Sequence, residues 1–134
     1  MANQDEMTLG DFIKHLSALL QQKRVKMPFK NEKPWHLALY EMKSKRDLPG
    51  RPMFLDTLVF DWDGRYPKSR SLSEFLHALH WNSSVSAGNP SYESISLDSE
   101  IEGLWSKPVE NLPPEARQFF DTAVTIAQNE FEHG

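Results

Sequence analysis

Apolar residues recur at helical spacing through most of the chain, and this periodicity restricts the fold more than any other feature of the sequence. The longest stripe runs through residues 114–131, where apolar side chains return every three or four positions. A second stripe occupies residues 9–20, and shorter ones occupy residues 34–46 and 71–81. Such spacing forms one face of an α-helix, which must be buried against another element. The sequence therefore predicts a mainly α-helical fold.

Capping signals mark the start of two of these helices. Thr8 precedes the first stripe and Asp11 follows it by three positions, which makes a shortened capping box. Ser71 and Glu74 have the same spacing before the stripe of residues 72–79 and form a full capping box. In such a box each side chain accepts a hydrogen bond from the other residue's backbone N–H. We therefore expect helices to begin at Thr8 and at Ser71.

Prolines and polar residues bound two further helices. Residues 21–33 are polar and basic, and we interpret them as a connector. Pro34 suits the first turn of the helix that follows, because its missing N–H would have no partner there. Asp98 or Ser99 is expected to cap a short helix near the C-terminal end of the chain, and Pro108 is expected to end that helix.

The middle of the chain is expected to contain a β-hairpin. Residues 83–97 alternate in polarity on both sides of a Gly-Asn-Pro turn at 88–90, which predicts two antiparallel strands. Residues 53–62 fit either a nearly all-buried helix or, over residues 58–60, a short buried strand. Their length and the proline before them favour the helix. The predicted fold is thus mainly α with a small β-hairpin.

Length and composition limit the classes of protein that this chain can represent. Its 134 residues fit one domain, with N-terminal helices and a basic connector in residues 1–50, a core in residues 53–97 and C-terminal helices in residues 98–134. The absence of cysteine excludes disulfides, iron–sulfur clusters, cysteine-ligated zinc and cysteine nucleophiles. No apolar run approaches 18 residues and no signal-peptide segment is present, so we expect a cytoplasmic protein with no membrane partner.

Charge is distributed unevenly along the chain. Residues 1–70 carry 13 Lys and Arg against 9 Asp and Glu, whereas residues 71–134 carry 2 against 10. The basic excess is concentrated in residues 23–51, with 9 Lys and Arg against 3 acidic residues. This asymmetry indicates either a basic face for an anionic partner or two solvated surfaces of opposite sign.

The order of the predicted elements resembles the winged helix-turn-helix superfamily. Residues 53–62 would be the positioning helix, residues 71–81 the recognition helix and residues 83–97 the wing. The resemblance implies either DNA binding or a role in assembly or dimerisation. For DNA, the cations at the start of the recognition helix would contact phosphates and its polar side chains would contact base edges. These candidates are Arg65, Lys68, Arg70, Ser71, Ser73 and His77.

A protein partner is the preferred hypothesis, because the predicted recognition helix contains no Lys or Arg after Ser71. Large aromatic residues at the ends of elements and in turns are typical interface anchors. They are Trp62, Tyr66, Trp81 and Tyr92. In addition, residues 60–67, Phe-Asp-Trp-Asp-Gly-Arg-Tyr-Pro, are similar to the aromatic–Gly–Pro segment of antitoxin domains of the Panacea type. We therefore expect a non-enzymatic regulatory module that binds a protein partner or forms a homodimer, with DNA binding as the alternative.

Residues 58–64 also resemble the first motif of haloacid-dehalogenase-type phosphatases. The resemblance implies Asp61 as the nucleophile and Asp63 as the general acid, beside a bound Mg²⁺. Arg65 stands where that family has threonine, and no Asp-Asp pair follows. His77 and His80 have metal-ligand spacing, but nothing in the sequence fixes a third ligand near them. We therefore predict no catalytic residue, metal, cofactor or small-molecule substrate.

Overall fold

The computed structural model describes residues 7–28, 31–62, 64–80, 85–86 and 94–133. These residues form a mainly α-helical fold with a small antiparallel hairpin, which confirms the predicted fold class. In chain order, the helices are α1 (Leu9–Gln22), α2 (Lys33–Ser44), α3 (Phe54–Thr57), α4 (Arg70–His80), α5 (Ser99–Glu110) and α6 (Pro114–His133). The strands are β1 (Met27–Pro28), β2 (Val85–Ser86) and β3 (Ser94–Leu97).

The apolar stripes of α1, α2 and α6 meet in one core. Phe12 of α1 contacts two rings of α6, at 6.0 Å from Phe119 and 5.1 Å from Phe120 between ring centroids. Trp35 of α2 contacts Phe131 near the end of α6, with ring centroids 4.7 Å apart. The first four of these side chains are at most 2% exposed. Full burial of each stabilises the fold by about 1.5–3 kcal/mol or more, so these contacts dominate its stability.

The turn at Gly50, which follows α2, packs closely against the start of α6. Its φ of +74° lies in the left-handed region that favours glycine. A Cβ at this position would lie 2.1 Å from the carbonyl oxygen of Glu115, closer than any side chain allows. Because Trp35 lies near the other end of α6, the two helices run antiparallel.

Helix starts agree with the sequence at α1 and differ at α4. Thr8 caps α1, since its hydroxyl accepts from the N–H of Asp11 at 3.1 Å while the Asp11 carboxylate accepts from the N–H of Thr8. The predicted capping box of Ser71 and Glu74 is wrong. The buried hydroxyl of Ser69 accepts from the N–H of Leu72 at 3.3 Å, so Ser69 caps α4 and Ser71 already lies inside the helix.

Residues 53–62 are neither the long helix that their length predicts nor a strand of a sheet. The single turn of α3 ends at Thr57, and Leu58 is extended, with ψ of 122°. The ammonium of Lys43 on α2 donates to the carbonyls of Leu55 and Asp56, which closes the end of this turn. A ten-residue apolar helix would need burial on all sides, but this segment lies at the surface and buries only part of its side chains.

The three strands form a small sheet in the order β1-β3-β2, with both pairs antiparallel. The predicted hairpin is confirmed by the pairing of β2 with β3, whereas its turn at 88–90 lies outside the described residues. The strand β1 lies in the segment that the sequence predicts to be a connector. Two residues are too few to show the alternation of polarity that predicts a strand. Gln21 of α1 fixes the sheet to the helices, since its side-chain amide bonds both the N–H and the carbonyl of Leu97, at 2.7 and 2.8 Å.

Helix α5 continues through Pro108 and ends only at Glu110, so the expected stop at Pro108 is wrong. A proline removes one hydrogen bond of the last turn, and so near the end of a helix it breaks little. The predicted cap is confirmed in the form of Asp98, whose carboxylate accepts from the N–H of Ile101 at 2.9 Å. Within the described residues, none of the helices combines the length and the apolar character that a membrane span requires.

Candidate functional site

One face of α2 is covered by the segment of residues 54–77. Residues later in α2 contact residues earlier in the segment, so the segment runs antiparallel to the helix. From the end of α2 to its start, the contacts join Lys43 to Leu55, Tyr40 to Phe60 and Trp62, His36 to Ser69, and Glu32 to Ser73 and His77.

A cleft of about 650 Å³ opens where this segment passes the start of α2. Its walls are the residues before α2, the loop that leads into α4 and the first two turns of α4. Acidic, basic and aromatic side chains all reach it. The lining residues are Asn31, Glu32, Asp61, Gly64, Tyr66, Lys68, Arg70, Ser73 and His77.

The loop beside the cleft is closed by an isolated antiparallel bridge. Asp61 and Lys68 exchange both backbone hydrogen bonds at 2.9 Å, which holds the ends of the intervening residues together. Trp62 follows directly after the bridge and is 60% exposed, with its ring at 5.6 Å and nearly perpendicular to that of Tyr40. We call residues 58–69 the aromatic loop.

His36 of α2 is fully buried against the end of the aromatic loop. A backbone contact determines which of its ring nitrogens carries the proton. The N–H of Ser69 donates to Nδ1 of His36 at 3.0 Å, so Nδ1 carries no hydrogen and the ring proton lies on Nε2. Burial lowers the pKa of His36, and this outweighs the opposite effect of Glu32. His36 is therefore neutral at pH 7.

Glu32 has two hydrogen-bond partners, Ser73 and His36, and forms an ion pair with His77 at the base of the cleft. The hydroxyl of Ser73 donates to Oε1 at 2.7 Å, and Nε2 of His36 lies 3.3 Å from the same oxygen. The other oxygen, Oε2, lies 2.7 Å from Nε2 of His77. Burial alone would raise the pKa of Glu32, but the hydrogen bonds from Ser73 and His36 and the charge of His77 lower it below its ordinary value. Protein groups thus stabilise Glu32 in its ionised form, although the side chain is largely buried.

Serine, histidine and glutamate in one cluster invite comparison with a hydrolase triad, and the geometry differs from one. In a triad the histidine accepts the serine proton at one nitrogen while the acid holds the other nitrogen. Here the hydroxyl of Ser73 donates to Glu32, and the protonated Nε2 of His36 lies near both of these side chains. The other ring nitrogen, Nδ1, already accepts a hydrogen bond from the backbone. His36 has no lone pair left to activate Ser73. The cluster instead connects α2 to α4.

The structure brings most of the candidates for nucleic-acid contact to one place. Lys68, Arg70, Ser73 and His77 all line the cleft, and Arg65 is exposed on the aromatic loop. Ser73 has a different use from the one expected, because its hydroxyl is bonded to Glu32 inside the protein. Ser71, the last of these candidates, is exposed on the first turn of α4.

Two of the four aromatic candidates lie together on the aromatic loop. Trp62 is largely exposed, whereas Tyr66 lines the cleft with its ring 5.9 Å from that of His36. Trp81 and Tyr92 lie outside the described residues. Of the aromatic candidates, Tyr66 therefore lines the same cleft as Lys68, Arg70, Ser73 and His77.

The phosphatase motif does not have the surroundings that its resemblance implies. That resemblance requires residues 58–60 to be an apolar strand, but Val59 is 69% exposed and the segment is extended without pairing until the Asp61 bridge. Asp63 lies outside the described residues. His77, a candidate metal ligand, is paired with Glu32, and no group of three potential ligands occurs among the described residues.

Sequence reasoning missed Glu32, His36 and Ser69. Glu32 and His36 lie one helical turn apart, which is the one signal that could have paired them. Their partners, Ser69 and Ser73, lie more than 30 positions further along the chain, where spacing carries no information. Comparison of the chain with profiles of known protein families, with curated proteins and with solved structures found no match.

Proposed function

We propose that the protein is a non-enzymatic binding module that recognises a partner protein through the aromatic loop and the adjoining cleft. The observation that carries this proposal is the placement of Trp62. A 60% exposed tryptophan leaves a large apolar area in water, although the protein holds it in a defined position. Exposed aromatic anchors of this kind contribute most of the binding energy in many protein interfaces.

The supports of Trp62 make it a preorganised contact. Its ring lies nearly perpendicular to that of Tyr40, with centroids 5.6 Å apart, and the ring of Tyr40 lies 5.3 Å from that of Phe60 between centroids. The Asp61–Lys68 bridge restrains the backbone directly beside it. Restraint before binding reduces the entropy lost in the complex, so a partner gains more from this ring than from a mobile one.

Two further apolar side chains of residues 53–62 are exposed. Val59 is 69% exposed three positions before it, and Met53 is 55% exposed before α3. The cleft on the other side of the loop supplies polar groups such as Tyr66 and Lys68. An apolar anchor with polar groups at its rim is the usual composition of a protein interface. Such a role agrees with the similarity of residues 60–67 to antitoxin domains of the Panacea type.

The test compares Trp62→Ala with Leu104→Ala, a matched control that removes an equally exposed side chain from α5. Each protein is immobilised and used to capture partners from cells that express the native chain, and the elution profile of each is compared by size. We expect a captured protein, or a dimer, that wild type and Leu104→Ala retain and Trp62→Ala loses. Rebinding of the purified partner should weaken by about 30-fold or more in Trp62→Ala. Equal capture by all three proteins would contradict the proposal.

The alternative function, DNA binding as a winged helix, is supported by the exposed cations at the start of α4 and by the hairpin that follows this helix. Lys68 and Arg70 would contact phosphates there. A gel-shift titration with mixed DNA fragments at low and moderate salt tests it. Salt-sensitive retardation that Lys68→Glu and Arg70→Glu abolish would favour this alternative, since phosphate contacts weaken steeply with salt.

A further inference from the structure

His36 and Ser69 form a contact that exists in only one protonation state of the histidine. The N–H of Ser69 donates to Nδ1 of His36 at 3.0 Å, and both residues are fully buried. A protonated imidazole carries hydrogen on both nitrogens, so two donors would face each other across this distance. Neither residue is exposed to water that could separate them. Protonation of His36 therefore requires Ser69 to move away from the ring.

Ser69 connects the aromatic loop to the start of α4. It is the last residue of the loop, and its hydroxyl caps α4 by accepting from the N–H of Leu72 at 3.3 Å. The residue before it, Lys68, exchanges both backbone hydrogen bonds with Asp61, which directly precedes Trp62. A displacement of Ser69 therefore disturbs the cap of α4 and the bridge beside Trp62 together.

Charged and titratable groups from three parts of the chain surround His36. Glu32, before α2, lies 3.3 Å from Nε2 and favours protonation. On the aromatic loop, the charge of Lys68 opposes protonation, and the ring of Tyr66 lies 5.9 Å away. His77 of α4 contacts the cluster through Glu32, at 2.7 Å from its second oxygen. Burial has the largest effect and lowers the pKa of His36 below 6.5, so a ring that leaves this environment takes up a proton more readily.

We infer that His36 makes the closure of the aromatic loop dependent on pH. At neutral pH the unprotonated ring holds Ser69 in place. In acid, His36 takes up a proton from solvent, Ser69 leaves the ring, and the loop opens together with the first turn of α4. Partner binding should weaken as the loop opens. This last step rests on the proposed function, whereas the opening itself does not.

Amide hydrogen exchange, followed by NMR on the full chain, tests the opening. The N–H of Ser69 is compared with that of Ala123, which lies buried in α6 and exchanges when the core unfolds. A released ring has the ordinary pKa of 6.5, so the opening constant at Ser69 should rise about tenfold from pH 7.5 to 5.5. Ser69 should also exchange faster than Ala123 throughout this range, because the loop opens while the core stays folded.

Two histidine variants assign the effect to one residue. His36→Asn keeps a side-chain oxygen that can accept from Ser69 but takes up no proton, so the rise should disappear. His77→Gln is the matched control, because it removes the other histidine of the cluster, and it should keep the rise of about tenfold. Nitrogen chemical shifts of the wild-type ring supply an assignment that needs no variant. At pH 7.5 they should show hydrogen on Nε2 of His36 and none on Nδ1.

The outcomes distinguish this inference from the proposed function. An opening constant at Ser69 that is independent of pH, a hydrogen on Nδ1 at pH 7.5, or loss of the rise in His77→Gln would overturn the inference and leave protein binding in place. Equal exchange at Ser69 and Ala123 would also overturn it, since the loop would then open only by global unfolding.

Binding of the captured partner provides the second comparison. Its affinity should fall by the same factor as the closed fraction of the loop, which the exchange data supply. An affinity that stays constant while the closed fraction falls would contradict the proposed function, which places the partner on this loop. The pH-dependent opening would then stand without it.

Discussion

Helix α2 is covered on two faces by contacts of different kinds. On the face toward α6, Trp35 packs on Phe131, and the neighbouring positions are apolar and buried. On the face toward residues 54–77, Glu32 and His36 make hydrogen bonds to named atoms of α4 and the loop before it. Apolar contact is non-directional and grows with the area buried, whereas each hydrogen bond requires one atom opposite another.

Within this one helix, one face therefore contributes mainly to the stability of the fold, and the other mainly determines the geometry of the cleft. The apolar face supplies most of the free energy of folding, because it removes large side chains from water. The polar face contributes less net free energy, but it fixes where the aromatic loop and the start of α4 lie. The cleft and Trp62 lie on that second side, so the proposed binding surface depends on the weaker and more specific set of contacts.

Removal of Trp35 should have the largest effect on stability. Trp35→Ala eliminates the ring that packs on Phe131 and leaves the carbonyl of Pro28 without the indole N–H that donates to it at 2.6 Å. We expect the free energy of unfolding to fall by about 3–5 kcal/mol, measured by urea denaturation. The exposed control Leu104→Ala should change it by less than about 0.5 kcal/mol. A loss from Trp35→Ala as small as that of the control would contradict the packing of α2 on α6.

A break on the polar face should cost less and act through a different mechanism. His36→Leu preserves the apolar volume but leaves the buried N–H of Ser69 without its acceptor. An unsatisfied buried donor costs about 1–3 kcal/mol in free energy of unfolding. The measurement is again urea denaturation, together with partner binding. We expect binding to weaken as well, whereas any residual folded Trp35→Ala should bind normally. An unchanged stability would show that His36 does not hold Ser69.

The pH dependence of stability should identify His36 separately from Glu32. Because burial lowers the pKa of His36 from 6.5, the unfolded chain takes up a proton there before the folded chain does. The free energy of unfolding should therefore fall as the pH decreases from 7.5 to 5.5. His36→Leu should flatten this part of the profile. The pKa of Glu32 is lowered from 4.5, so its contribution is complete above that pH and is lost only below it. Equal slopes in wild type and His36→Leu between pH 7.5 and 5.5 would disprove this assignment.

The apolar face of the fold could be predicted from the sequence, because a helix must bury the stripe that its spacing creates. The helices at Leu9–Gln22 and Pro114–His133 follow this rule. Residues 53–62 depart from it, since their apolar residues have no clear period and Met53, Val59 and Trp62 remain exposed. Trp62 is predicted to be an anchor because large aromatic residues in turns are typical of interfaces, and that role stays a prediction.

The polar face could not be predicted by the same reasoning. Glu32 meets Ser73 across 41 positions, and no local pattern connects them. The capping serine of α4 was misassigned for a related reason. Ser71 has a glutamate three positions later, which is the better local signal, but Ser69 is bonded to His36 and so begins the helix two residues earlier. A tertiary contact thus overruled a local one.

The smallest expected effect tests that conclusion directly with two serines on the same helix turn. Ser69→Ala removes the hydroxyl that accepts from the N–H of Leu72, and loss of such a cap lowers the free energy of unfolding by about 1 kcal/mol. Ser71→Ala changes an exposed residue inside the helix and should shift it by less than about 0.5 kcal/mol. Chemical denaturation of both variants measures the difference. A larger loss of stability from Ser71→Ala than from Ser69→Ala would contradict this conclusion. The capping box of Ser71 and Glu74 would then determine where α4 begins, and the contact of Ser69 with His36 would be its consequence.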